Sequence, residues 1–213
     1  MKKIIIPENK AVILKIVALI LQAGAIGLII YVIFLPAYPT VKYELTQNKP
    51  EYAAEAKDAT STKEKVEEAK NHLPQAEYAV SPNRIIIPKI GVNAPIVESD
   101  NANYGLSRGS WRVPESSTPD KGSNTVITGH RFKYLPPNNL TFYLLDKLEP
   151  GDVFSVIWNE KDYYYRVREN KIVDKTEISI LNSTKESVVT LFTCHPIYST
   201  EQRLVVVGDL IGE

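Results

Sequence analysis

Residues 16–35 are 20 consecutive positions without a formal charge, mostly Ile, Leu, Val, Ala and Gly, and only Gln22 among them is strongly polar. At 1.5 Å of rise per residue a helix of this length covers roughly 30 Å, the hydrocarbon thickness of a bilayer. A helix satisfies its own backbone, so such a run can cross lipid without partners. Pro36 and Pro39 follow and are expected to end it, because proline lacks the amide proton that continues the ladder. Tyr31 and Tyr38 sit near this end, where amphipathic rings suit the headgroup level. Lys2, Lys3, Lys10 and Lys15 stand against Glu8 on the amino-terminal side. That asymmetry predicts a cytoplasmic amino terminus and an extracytoplasmic remainder. A cleaved secretory signal is the alternative, but its apolar region is usually shorter and a small-x-small cleavage site is expected after it. Either route exports the rest of the chain.

The 25 basic and 25 acidic side chains cancel over the 213 residues. A nucleic-acid binder would carry a basic excess, so this balance argues against that class. A single cysteine excludes an intrachain disulfide framework and a thiolate-rich zinc cluster. Residues 51–70 are dominated by Ala, Glu, Lys, Asp and Thr, with Val66 the only branched aliphatic side chain, so a helix there has almost no face to bury. The expected organisation is a basic cytoplasmic tail over 1–10, a membrane anchor over 11–35, a polar extracytoplasmic stalk over 36–80 and a folded domain over 81–213. His72, in the stalk, is assigned no role.

Beyond Pro82 the pattern changes to short apolar or β-branched runs bounded by Gly, Pro, Asn and Asp. Strands are expected at 84–90, 94–97, 124–128, 153–158, 163–168, 187–192 and 203–207, with helical insertions only at 139–148 and 176–181. Strands without regular intervening helices favour a closed all-β barrel over a parallel α/β sheet.

Few residues can carry chemistry. Cys194 ends an apolar run, where a side chain can emerge from a core into a cleft; a free cysteine in general is more often a small core residue. His195 is its neighbour, but adjacent residues on an extended chain point apart. His130 ends another predicted strand and is the better proton partner. Arg203 begins the last strand, and its guanidinium offers several fixed donors for an oxyanion or a peptide carbonyl. Singly, each has an ordinary structural explanation; together they suggest a thiol nucleophile, an acid–base group and an electrophilic donor.

These residues resemble the sortase family of membrane-anchored cysteine transpeptidases. Thr190, Leu191, Phe192, Thr193 and Cys194 fit its TLxTC signature. Thr128, Gly129, His130 and Arg131 are similar to its histidine motif, and Arg203, Leu204, Val205 and Val206 to its arginine strand. The order and spacing agree: 64 positions from His130 to Cys194 and 9 more to Arg203. The similarity covers about residues 83–210.

The resemblance implies an eight-stranded sortase β-barrel with short helical insertions, preceded by the transmembrane helix and the stalk. It also implies cleavage of an LPxTG-like sorting signal between Thr and Gly. Cys194 would attack the Thr carbonyl, His130 would exchange protons with the leaving and incoming amines, and Arg203 would hold substrate and oxyanion. Thr193 would contact the substrate. No cofactor or metal is required. The implied partners are surface proteins bearing the signal, an amine of a cell-wall precursor or another surface acceptor, and membrane lipid. A missing Asp-Pro-aromatic lid motif and the lack of a second hydrophobic span point away from pilin-polymerising members, and the Cys194-to-Tyr198 continuation resembles the class D or E group. Two other functions fit the same residues: an exported cysteine peptidase that only hydrolyses, and a non-catalytic peptide-binding surface module.

Overall fold

The computed structural model describes residues 8–47, 63–65, 67, 82–133 and 140–213. Eight strands close into one barrel: β1 (Arg84–Ile87), β2 (Val92–Glu98), β3 (Ser110–Arg112), β4 (Asn124–Thr128), β5 (Val153–Trp158), β6 (Lys161–Asp174), β7 (Val188–His195) and β8 (Gln202–Gly212). Around the barrel the order is β1-β2-β3-β4-β7-β8-β6-β5, with β5 returning to β1. Only β2–β3 and β4–β7 run parallel. The barrel is that expected from the sequence.

Alternation of side chains sets inside from outside. Along β7, Val189 and Leu191 enter the main core with Ile127 of β4, Val206 of β8 and Phe154 of β5. Val188 faces outward, into a second apolar layer with Val205 and Val207, against which Val173, Ile180 and Phe192 pack. The 3-10 turn Ile178–Leu181 roofs this outer layer. Asn124 anchors the roof: its amide donates to the carbonyls of Ile180 at 2.9 Å and Asn182 at 3.0 Å, and its carbonyl oxygen accepts from the Thr190 hydroxyl at 2.8 Å.

Several local expectations change. The anchor helix α1 runs over Glu8–Gln47 and passes through Pro36 and Pro39 rather than stopping there. A proline deletes one donor and crowds the preceding turn, at a cost of about 3 kcal/mol, but contacts beyond it hold the helix together. The Tyr143 hydroxyl donates to the Pro36 carbonyl at 2.8 Å, Lys147 pairs with Glu44 at 3.1 Å, and Tyr43, 8% exposed, belongs to the barrel's core cluster. The first dozen residues assigned to the stalk are therefore helical, and Pro36, Tyr43 and Glu44 among them touch the barrel. Most of the remaining stalk, His72 included, lies outside the described residues. Lys63, within it, reaches the carbonyl of Glu213 at 2.9 Å.

Over its described residues, 140–148, the insertion expected at 139–148 is not an α-helix; it is a series of turns with one 3-10 segment, Leu145–Lys147. Phe142, Leu145 and Leu148 are all fully buried, and a spacing of three is also the 3-10 period. The second insertion is the 3-10 turn Ile178–Leu181, and a short helix not foreseen, α2 (Ala102–Leu106), is capped by the Asn101 side chain, which accepts from the Tyr104 amide. Among the described residues, α1 is the one helix long and apolar enough to cross a membrane.

Candidate active site

The site follows from strand register. In the antiparallel β7–β8 pair Cys194 lies directly opposite Arg203, and directly opposed residues share a face with Cα atoms roughly 5 Å apart. In the parallel β4–β7 pair Thr128 is matched to Phe192. Two residues further along each chain stand His130 and Cys194, so the imidazole is carried to the same end of the barrel as the thiol. The Cys194 and Arg203 side chains issue from the outward face: Phe192, Thr190 and Val188 trail Cys194 at period two, and Val205 and Val207 trail Arg203.

Cys194, His130 and Arg203 are each partly exposed. The thiol is not enclosed in the core. Among the described residues no hydrogen bond joins His130 or Arg203 to Cys194, a looseness common in sites without substrate. One Arg203 nitrogen donates to the carbonyls of Thr200 and Gln202, both at 2.9 Å. This fixes the guanidinium beside the β7–β8 connection and leaves its other donors for a ligand. Burial, seconded by the positive charge of Lys133, holds the His130 pKa below the ordinary histidine value, which favours the neutral imidazole.

Two hydroxyls lock the strand ends. Thr128 donates to the Phe192 carbonyl at 2.9 Å, and Thr193 donates to the Gly129 carbonyl at 2.8 Å. Thr193 is 1% exposed and points away from the outer face. Its side chain acts on the site by holding the residue before His130. A Cβ at Gly129 would meet the Phe142 ring at 3.0 Å, so a side chain there fits only if that ring gives way.

Sequence reasoning quoted Arg131 only as part of a motif. It is 4% exposed, its guanidinium pairs with Asp146 at 2.7 Å, and its Nε and Nη1 lack partners. Burial lowers its pKa, against the favourable charges of Asp146, Tyr143 and Cys194. Phe132 was not foreseen either. Its ring lies 4.8 Å from that of Tyr198 and 5.9 Å from that of Tyr143, tying the segment after β4 to the segment after β7. No composition signal marks these contacts, because they join distant loops. His195 faces the opposite way from Cys194 along β7, as alternation requires. Among the described residues no cluster of three or more His, Cys, Asp or Glu side chains gathers as metal ligands.

The outer face continues from Cys194 to a shallow cavity of about 140 Å³ under the Ile178–Leu181 turn, floored by Val188, Thr190, Val205 and Val207. The outer face of β7 measures roughly 20 Å from Val188 to Cys194 at the usual strand rise, and the cavity covers its Val188 end, with Arg168, Glu169 and Lys171 also lining it. A thiol directly opposite a guanidinium, with an imidazole carried to the same end of the barrel, is the equipment of a cysteine acyl-transfer enzyme.

Comparison with known proteins identifies the class. The Sortase domain family model matches residues 85–211, the whole barrel but for its first and last residues. The chain belongs to the sortase family, the cysteine transpeptidases that anchor surface proteins. It is 28% identical to Sortase D of Bacillus subtilis (strain 168) over 204 residues, which cover 92% of this chain and 98% of that protein. The crystal structure of Listeria monocytogenes sortase A superposes with a TM-score of 0.55 at 27% identity, covering 62% of this chain and 88% of that one. Sortase E1 of Streptomyces coelicolor, solved with a tripeptide in the active site, gives 0.55 at 25% identity over 63% of this chain and 92% of that one. Likeness to both D and E sortases accords with the resemblance read from the sequence.

Proposed function

We propose that this chain cleaves an LPxTG-like sorting signal between Thr and Gly and transfers the protein to an amine of a cell-wall precursor or another surface acceptor. The observation that carries the reading is the register of Cys194 against Arg203, with His130 at the matching end of β4. The Cys194 sulfur attacks the Thr carbonyl while neutral His130 takes the thiol proton. Arg203 donors stabilise the oxyanion that forms. Collapse breaks the Thr–Gly amide, His130 returns the proton to the departing glycine amine, and the acyl group stays on sulfur. An incoming amine then attacks the thioester, losing a proton to His130, and the freed sulfur regains it. The four residues on the acyl side of the scissile bond, roughly 13 Å when extended, run from Cys194 along the outer face of β7 towards the cavity, and the glycine side leaves in the other direction. Thr193 supports this substrate through Gly129.

The anchor helix gives the setting. Lysines precede the span, so the amino terminus is cytoplasmic and the barrel is extracytoplasmic. The test is product analysis of the full chain in detergent with a sorting-signal peptide, with and without an added amine. A new amide bond and a covalent adduct that Cys194→Ala abolishes are expected. Peptide released to water alone, with amine present, would make the protein a hydrolase; no turnover across a broad peptide panel would make it a binding module. Arg203→Lys, which keeps charge but loses the planar fork, is expected to slow acylation strongly. His195→Ala is expected to keep most activity.

A further inference from the structure

The anchor helix and the barrel touch at two heights. Pro36 stands immediately beyond the apolar run 16–35, so its carbonyl lies at the outer boundary of the hydrocarbon. That carbonyl accepts from Tyr143. Eight residues on, roughly 12 Å further along the helix, Glu44 pairs with Lys147 and Tyr43 is buried against the barrel. The barrel is therefore oriented by its anchor as well as tethered: the Tyr143 side is proximal to the bilayer and the Lys147 side is distal.

Tyr143 belongs to the end of the barrel that carries the site. The amide of its neighbour Phe142 donates to the His130 carbonyl at 2.9 Å. Its ring contacts Phe132, which in turn contacts Tyr198, four residues beyond Cys194. Tyr198 is 69% exposed although it is a large aromatic, and Lys133 is exposed beside Phe132. Tyr38, half-exposed, lies on α1 within a helical turn of Pro36. Aromatic rings with polar tips and a nearby cation are the side chains that settle among lipid headgroups.

We propose that one edge of the barrel end bearing Cys194, the edge of Tyr143, Phe132 and Tyr198, rests on the headgroup layer of the bilayer that α1 crosses, with Tyr198 and Phe132 as its contact and the Tyr143–Pro36 and Lys147–Glu44 links as the clamp. The proposal rests on the membrane-anchor reading of α1. It deepens that reading by stating which face of the enzyme meets lipid, and so where an acceptor or substrate held in the membrane would enter the site.

Cys194 is the chain's only cysteine, so the test uses the full chain in a Cys194→Ala background, reconstituted in phosphatidylcholine–phosphatidylglycerol vesicles. Nitroxide labels are attached to Tyr198→Cys, to Lys161→Cys at the opposite end of the barrel and to Leu28→Cys within the span. Power saturation with a water-soluble nickel chelate and with oxygen reads depth. The Tyr198→Cys label is expected to be several-fold less accessible to nickel than the Lys161→Cys label. Adding Tyr143→Phe and Lys147→Glu is expected to raise its accessibility towards that of Lys161→Cys. Equal accessibility at both sites with Leu28→Cys protected would overturn the proposal and leave the anchor intact. A water-accessible Leu28→Cys label would overturn both. Spin–spin broadening at Tyr198→Cys would assign the face to a second copy and also overturn it, as would shielding that persists unchanged when the clamp is removed.

Discussion

At the scale of single residues the site works by setting charges against burial. The His130 pKa is lowered by desolvation first and by Lys133 second. Lys133→Ala removes the repulsion but not the burial, so the His130 pKa is expected to rise part of the way back, most visibly at low salt because Lys133 is exposed. Titration of the His130 ring proton by NMR in the Cys194→Ala protein reads this directly; a downward or absent shift would contradict it. The sign also fixes a stability effect. A depressed folded-state pKa means that the folded state disfavours the imidazolium, so the contribution is complete above the unfolded value of about 6.5 and is lost as pH falls through the folded value. Replacing His130 by Gln is expected to flatten that acid loss in denaturation curves taken across the interval. Arg131 is the complementary case, a buried cation kept by one carboxylate. Asp146→Asn leaves it uncompensated and is expected to cost about 2 kcal/mol, below the figure for fully buried pairs because Asp146 is partly exposed. Adding Arg131→Met should recover much of this in the same denaturation assay, since no buried charge then remains.

At the scale of elements, the roof over the trough depends on Asn124. Asn124→Ala deletes three hydrogen bonds, two of them to the Ile178–Leu181 segment and its cap. A loss of about 2 kcal/mol is expected, together with a raised KM for a sorting-signal peptide and a kcat changed much less, because the roof is roughly 20 Å from the sulfur. Equal falls in kcat and unchanged KM would mean that the roof acts on the chemistry and not on binding. Elements of this kind were legible in the sequence where burial is strongest. The runs in β1, β4, β5 and β7 are apolar because both their faces are covered, and their ends carried Cys194 and His130 to view. β3 was missed because Ser110, Trp111 and Arg112 are too few to show a period. The tail of β6 from Glu169 onward is largely exposed and polar, so only its pairing with β8 makes it a strand. The turns around Phe142, Leu145 and Leu148 looked helical because spacing alone does not separate a 3-10 turn from an α-helix. That His130, Cys194 and Arg203 stand at one end of the barrel was legible only through their motifs, since no local pattern states that β4 and β7 run side by side.

At the scale of the whole molecule, the prolines misled because helix-breaking is a local tendency and the docking that overrides it is not local. Tyr43 and Glu44, beyond both prolines, gain their partners from the barrel. This coupling has a thermodynamic signature. Burying an aromatic side chain contributes about 2 kcal/mol, but ordering the helix that presents it costs conformational entropy in every residue fixed. In the full chain the bilayer already holds α1 helical from its apolar run, and propagation past Pro36 starts from a formed helix and not from a costly nucleus. In an ectodomain beginning at residue 37 the same segment must order alone. Tyr43→Ala is therefore expected to destabilise the barrel by about 2 kcal/mol in the membrane-reconstituted chain and by markedly less in the truncated one. Hydrogen exchange of the β1 and β5 amides, next to the Tyr43 contact, measures both. Equal effects in the two forms would mean that the docked helix forms independently of the anchor, and no effect in either would mean that Tyr43 does not hold the helix to the barrel.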